Sequence, residues 1–160
     1  MKNLITYGTH LPVLVRAILE MRGKIIELGG GLSSTPLLNM VAKANDIYDI
    51  YTYENNPDFY SVIRELDFEY HAVRFIDNWD EVKVQDCGIL FVDQAPAERR
   101  IIDIERFKDN ARVIVVHDFE KKKYYNYHKI IPMFKYVAEY KYYPKTTGVL
   151  SNFVDVREWF

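Results

Sequence analysis

Two hydrophobic rhythms alternate along the chain. Leu11 to Met21 (LPVLVRAILEM) repeats its apolar residues at helical spacing, with Thr9 at the N-cap, Pro12 in the first turn and Gly23 just past the end. Lys24 to Leu28 is a short apolar strand. Thr35 to Ala44 (TPLLNMVAKA) predicts a helix, capped by Ser34 or Thr35 with Pro36 at its first position. Ile47 to Tyr53 alternates with the two-residue period of a strand, and Asp58 to Leu66 is helical, entered through Asn56-Pro57. Tyr70 to Ile76, Gly88 to Val92 (GILFV) and Arg112 to Val116 (RVIVV) read as strands, the last two apolar enough to be buried on both faces. Ala97 to Lys108 is a charged amphipathic helix, and Tyr124 to Phe134 predicts another. Tyr136 to Tyr143 and Val149 to Val156, joined through PKTTG, predict an antiparallel pair.

After the N-terminal helix the order is β-α-β-α-β-β-α-β-α-β-β. Alternation of this kind implies an α/β fold with a mainly parallel sheet and helices on both faces. At 160 residues, without linker, repeat or low-complexity stretch, residues 1–160 are expected to form one domain.

Composition narrows the field. The net charge of −2 supplies no global basic field for nucleic acid, although Lys121-Lys122-Lys123 stands beside Tyr124, Tyr125 and Tyr127. The single cysteine, Cys87, excludes an internal disulfide framework and fits a reducing compartment. No apolar run approaches the roughly 20 residues of a membrane span, and no small-residue cleavage site follows the N-terminal helix. A soluble cytoplasmic protein is expected.

In a doubly wound sheet, ligands sit outside the carboxyl ends of the strands. Here the five predicted parallel strands meet, in order, Glu27 and Gly29-Gly30-Gly31, then Glu54-Asn55, Asp77-Asn78-Trp79, Asp93-Gln94 and His117-Asp118. A carboxylate at every strand end on one rim exceeds what solvation requires. The glycine turn lets a ligand approach the backbone. It ends in Leu32-Ser33-Ser34 without a lysine, which excludes a P-loop. Gly29 and Gly31 match G-x-G, but Ser34 stands where a dinucleotide loop has its third glycine. Glu27, two positions before Gly29, instead suits a cationic group such as the amine of an amino-acid moiety. Glu54 is placed for ribose hydroxyls, and Asp77 beside Trp79 for an adenine, with the carboxylate on its exocyclic amine and the indole as wall.

E-x-G-G-G after the first strand, with acidic residues closing strands two and four, resembles the class I S-adenosylmethionine-dependent methyltransferases. Thr9-His10, GLSSTPLL, DQAPAERR, VVHD and PKTTGVLSN look like a small branch of that superfamily. The resemblance implies a Rossmann-like, seven-stranded, mainly parallel sheet with an antiparallel C-terminal strand at one edge. It implies a cofactor site at Glu27, Gly29, Gly30, Gly31, Glu54, Asn55, Asp77, Trp79 and Asp93. In some small-molecule O-methyltransferases of the superfamily, acids closing strands four and five hold a divalent metal. Asp93 and Asp118 fall at those places, and their hard oxygens suit Mg²⁺.

Asp93, His117 and Asp118 are therefore the residues expected to serve catalysis. His117 is a base titrating near neutral pH, with Asp118 either orienting it or capping the following helix. His10 is placed to close the pocket. Arg99 and Arg100, cations in a helix first turn, predict ion-pair or substrate contacts. The function expected is O-methylation of a small molecule, sugar or nucleotide. The alternatives are an RNA or protein methyltransferase docking its acceptor on Lys121–Lys123, and a non-catalytic binding protein whose tyrosine-rich hairpin pairs across a homodimer edge. An NAD-dependent oxidoreductase is the fourth reading.

Overall fold

The computed structural model describes residues 8–44, 49–66, 70–142 and 144–160. Ile47 and Tyr48 of the second predicted strand, and Tyr143 of the sixth, lie outside these residues. The apolar runs become seven strands: β1 (Ile25–Leu28), β2 (Ile50–Glu54), β3 (His71–Phe75), β4 (Cys87–Val92), β5 (Ala111–Val116), β6 (Tyr136–Tyr142) and β7 (Lys145–Ser151). The helices are α1 (Leu11–Glu20), α2 (Ser34–Ala44), α3 (Pro57–Ile63), α4 (Arg99–Phe107) and the short α5 (Tyr127–Ile130).

One sheet holds all seven strands in the order β3-β2-β1-β4-β5-β7-β6. Strands β1 to β5 are mutually parallel, and β7 runs antiparallel to both β5 and β6. The antiparallel strand therefore lies one place in from the edge, with β6 outside it. Successive residues of each strand face opposite ways, so the sheet divides the core in two. Ile26, Leu28, Leu90, Val92, Ile114 and Val116 pack with Ile104 and Phe107 of α4 and with Tyr127 and Ile130 of α5. Ile25, Ile89, Phe91, Val113 and Val115 pack on the other face with Val13, Leu14, Ala17 and Ile18 of α1 and Leu38 of α2.

Two elements differ from expectation. The predicted helix 124–134 reduces to α5 and a 3-10 turn at Ile131–Met133, because Asn126 adopts a left-handed φ of 60° and Pro132 cannot continue an α-helix. The PKTTG stretch is strand rather than turn: β7 begins at Lys145, which pairs with Tyr142, and ends at Ser151. Gly148 permits this, since a Cβ there would meet the Phe119 ring at 2.5 Å. The aromatic ring lies flat against β7 where another residue's side chain would stand.

Candidate active site at the carboxyl rim

Glu27 sits inside β1, opposite Thr52 of β2 and Phe91 of β4, and is wholly buried. Its Oε2 accepts hydrogen bonds from Thr52 Oγ1 at 2.6 Å and from Thr35 Oγ1, in the first turn of α2, at 2.8 Å. Thr35 in turn accepts from the Gly31 amide at 2.9 Å, tying the glycine loop to the same carboxylate. His71 Nε2 lies 2.7 Å from Thr52 Oγ1 behind this pair. The other oxygen, Oε1, has no hydrogen-bond partner among the described residues. Burial pushes Glu27 up to about 7, against the pull of the Ser34, Thr52 and Thr35 hydroxyls. An acid so placed is a ready acceptor for one further donor.

The three glycines above it have separate tasks. Gly29 adopts a φ of +90°, and a Cβ there would stand 2.5 Å from the Gln94 amide, so it joins the β1 turn to the end of β4. A Cβ on Gly30 would lie 2.2 Å from Ile63 Cδ1. Of the three, only Gly31 has room for a Cβ, with Ser34 Oγ nearest at an ordinary contact distance of 3.9 Å. Glu54, at the end of β2, accepts from the Asn55 and Asn56 amides at 3.0 and 2.7 Å, and burial raises its pKa. Asn56, the next residue but one, caps α3 through its side chain and so fixes this turn.

Farther along the rim, Asp77 is exposed, while Trp79 is in the core with its indole N–H donating to the Ala95 carbonyl at 2.9 Å. Trp79 thus packs the wall beneath the β4 loop. Asn78 and Glu81 form a reciprocal capping box that holds Asp77 and Trp79 in place.

At the ends of β4 and β5, Asp93 Oδ1 lies 3.1 Å from His117 Nδ1, and Thr9 Oγ1 lies 3.3 Å from His117 Nε2. Thr9 is therefore no helix cap; α1 starts after His10 without a side-chain cap. The His10 ring stands 4.8 Å from Phe91 and 4.7 Å from His117, centroid to centroid. Burial, reinforced by His117, lowers its pKa to about 4. His10, Asp93 and His117 each offer a ligand atom within 4.8 Å of the others.

Arg100, only 6% exposed, organises this corner. Its guanidinium donates to Asp93 Oδ1 at 2.8 Å and to the backbone carbonyls of Asp93, Gln94 and His117 at 2.9, 2.8 and 3.3 Å. Arg99 pairs with Asp103 and Asp80. Asp118 has a left-handed φ of 55° and makes no capping bond; its carboxylate binds Lys145 and lies 3.8 Å from Arg100. Burial would raise its pKa, but His117, Lys145 and Arg100 outweigh burial and hold it low. Asp93 pairs with Arg100 and Asp118 with Lys145, and among the described residues the ligand atoms that come together are those of Asp93, His10 and His117, a set with one carboxylate that does not supply the all-oxygen shell expected for Mg²⁺. Arg100 makes the ion pair that its place in a helix first turn indicated, whereas Thr35, Thr52 and Lys145 were not singled out by sequence; their only signal was position near a rim acid in the folded chain.

A cavity of about 410 Å³ lies at the opposite end of the sheet, lined by Arg22, Lys24, Asp86, Asp109 and Arg112 among others. No rim residue borders it, and Asp86 and Asp109 already bind Asn110 and Lys108. No helix among the described residues is long and apolar enough to cross a membrane.

No protein-family profile matches the sequence, and neither does any curated protein. Solved structures do match by shape. A methyltransferase from Pyrococcus furiosus superposes with a TM-score of 0.65 at 13% identity, covering 90% of this chain and 83% of that one. The precorrin-6y C5,15-methyltransferase of Geobacter metallireducens gives 0.63 at 14%, covering 94% and 91%. The N-terminal domain of human METTL16, in complex with SAH, gives 0.65 at 13%, covering 92% and 71%; the human catalytic domain has also been solved with the MAT2A 3'UTR hairpin 1. Strand order and these likenesses together make the fold the Rossmann-like one of the methyltransferases on which the chain superposes.

Proposed function

We propose that the chain is an S-adenosylmethionine-dependent methyltransferase acting on an oxygen of a small molecule, sugar or nucleotide. The observation that carries the reading is Glu27: a wholly buried carboxylate with one oxygen unpartnered among the described residues, beneath a glycine turn in which Gly31 alone has room beside its backbone. A cationic amino group brought to that oxygen satisfies it with a charge-assisted hydrogen bond. Glu54 offers its remaining acceptor capacity to ribose hydroxyls, and Asn55 and Asp77 border the same rim. When bound, S-adenosylmethionine supplies an electrophilic methyl group. The chain's part is to align an acceptor with it and to receive a proton. Asp93 is the member of the Asp93–His117 pair open to solvent, with its side chain 26% exposed, so an acceptor hydroxyl hydrogen-bonds there. In the metal-free chain its proton passes into the pair, which Arg100 and Thr9 hold from behind.

Calorimetric titration with S-adenosylhomocysteine tests the pocket, with micromolar affinity expected. Gly31→Val and Glu54→Ala together abolish it while leaving the melting transition in place; unchanged affinity in that double variant would overturn the reading. An RNA acceptor is the second reading. Lys123 and the exposed Tyr124 favour it, as does the RNA hairpin bound to the human METTL16 catalytic domain. It requires an RNA affinity that falls steeply with salt.

A further inference from the structure

His10 is 2% exposed, yet neither ring nitrogen has a hydrogen-bond partner among the described residues. Native interiors rarely leave buried polar atoms unpaired, because each forfeits its hydration without return. If the position needed only an aromatic filler against Phe91, phenylalanine would serve without that penalty. His10 instead turns its ring edge-on to His117, whose Nδ1 meets Asp93.

We infer that His10, Asp93 and His117 form a binding site for a divalent transition-metal ion, zinc or a first-row neighbour of zinc. Two imidazoles and one carboxylate are the donor set such ions prefer, whereas Mg²⁺ seeks oxygen alone. Tetrahedral coordination at about 2.0–2.1 Å sets ligand atoms roughly 3.4 Å apart. The three donor atoms already lie within 4.8 Å of one another, and the His10 ring, held by no hydrogen bond, closes the remainder by rotating.

The surroundings are those of ligands held from behind. Thr9 Oγ1 occupies the Nε2 side of His117 and leaves Nδ1 turned towards Asp93. Arg100 fixes Asp93 Oδ1 and the His117 carbonyl, so two of the three ligands have partners that orient them. The positive charge of Arg100 is itself matched by Asp93 and by Asp118 at 3.8 Å. Three protein ligands leave at least one coordination position open, and the partly exposed side chain of Asp93 gives access to it from the rim. Asp118, bound to Lys145, is not a ligand. The site stands whether or not the chain transfers methyl groups.

The full chain, stripped with a chelator, is titrated with Co²⁺ and followed by its visible d–d absorption. One equivalent of tetrahedral or five-coordinate cobalt is expected, bleached by Zn²⁺. His10→Phe keeps the ring volume and removes the ligand; it and His117→Gln weaken binding by about tenfold or more. Asp118→Asn retains the band and its stoichiometry. Far-UV circular dichroism and thermal melts establish that each variant is folded. Absence of the band at millimolar Co²⁺, or undiminished binding in folded His10→Phe, overturns the site. Calorimetry with S-adenosylhomocysteine on the same metal-free sample reads the cofactor pocket separately, so the two readings fail independently.

Discussion

At the scale of single residues, three adjacent glycines that look alike in the sequence have different consequences. Alanine at Gly29 or Gly30 is expected to destabilise the fold by about 1–3 kcal/mol, since each new Cβ enters occupied space, and Gly29 adds a left-handed backbone. Gly31→Ala should change stability by less than about 0.5 kcal/mol, because its Cβ makes only an ordinary contact with Ser34 Oγ. Urea denaturation of the three variants checks this ordering. Glu27 carries its own signature. Its folded-state pKa, about 7, lies above the ordinary value of 4.5, so the native state holds the proton more tightly. Stability that is full at low pH is therefore lost as pH rises through this window, by about 3 kcal/mol at most. Glu27→Gln should flatten that slope in parallel denaturation series. A cationic amine at Oε1 favours the ionised acid, so affinity for S-adenosylhomocysteine should rise across the same interval. Calorimetry in buffers of different ionisation heat should detect the proton released. The sequence indicated Glu27 through its spacing from Gly29, but not Thr35 and Thr52, whose roles exist only once α2 and β2 close around it.

Among the elements, α4 is the one most tied to the candidate site. It packs Ile104 and Phe107 into the core and inserts Arg100 between the tips of β4 and β5. Replacing Arg100 with Met removes a buried cation from Asp93 and takes the guanidinium donor from the Asp93 and Gln94 carbonyls, while the His117 carbonyl keeps the Tyr127 hydroxyl. A loss of about 3–5 kcal/mol is expected, measured by chemical denaturation. Apolar runs such as GILFV and RVIVV were legible because burial on both faces leaves no other reading. Boundaries set by tertiary contact were not. Tyr124 to Phe134 has helical spacing, but a left-handed Asn126 breaks it, and neither periodicity nor composition encodes that turn. The residues of PKTTG carry turn propensity, yet Gly148 serves Phe119 and the stretch extends into β7. Asp118 was expected beside Asp93 on strand-end logic. Lys145, 27 residues later, claims it through a hairpin whose register no local pattern specifies.

For the molecule as a whole, the rim acids stand along one edge built by the ends of the neighbouring strands β2, β1 and β4. A ligand that bridges them stabilises the folded state by mass action, about 2.7 kcal/mol at a hundredfold excess over its Kd. Differential scanning fluorimetry with S-adenosylhomocysteine should show the matching rise in Tm, and Gly31→Val should remove it. The strand order has a consequence for synthesis. β5 is covered on its far side by β7, not by β6, so its outer hydrogen-bonding edge finds no partner until Ser151 has been made. A nascent chain that has released β1 to β5 still presents a row of valine and isoleucine amides to any passing strand. The β6–β7 hairpin then arrives as a preassembled pair and closes the sheet from the side. A hairpin made after all five parallel strands is thus the segment that closes an edge open to misassociation until then.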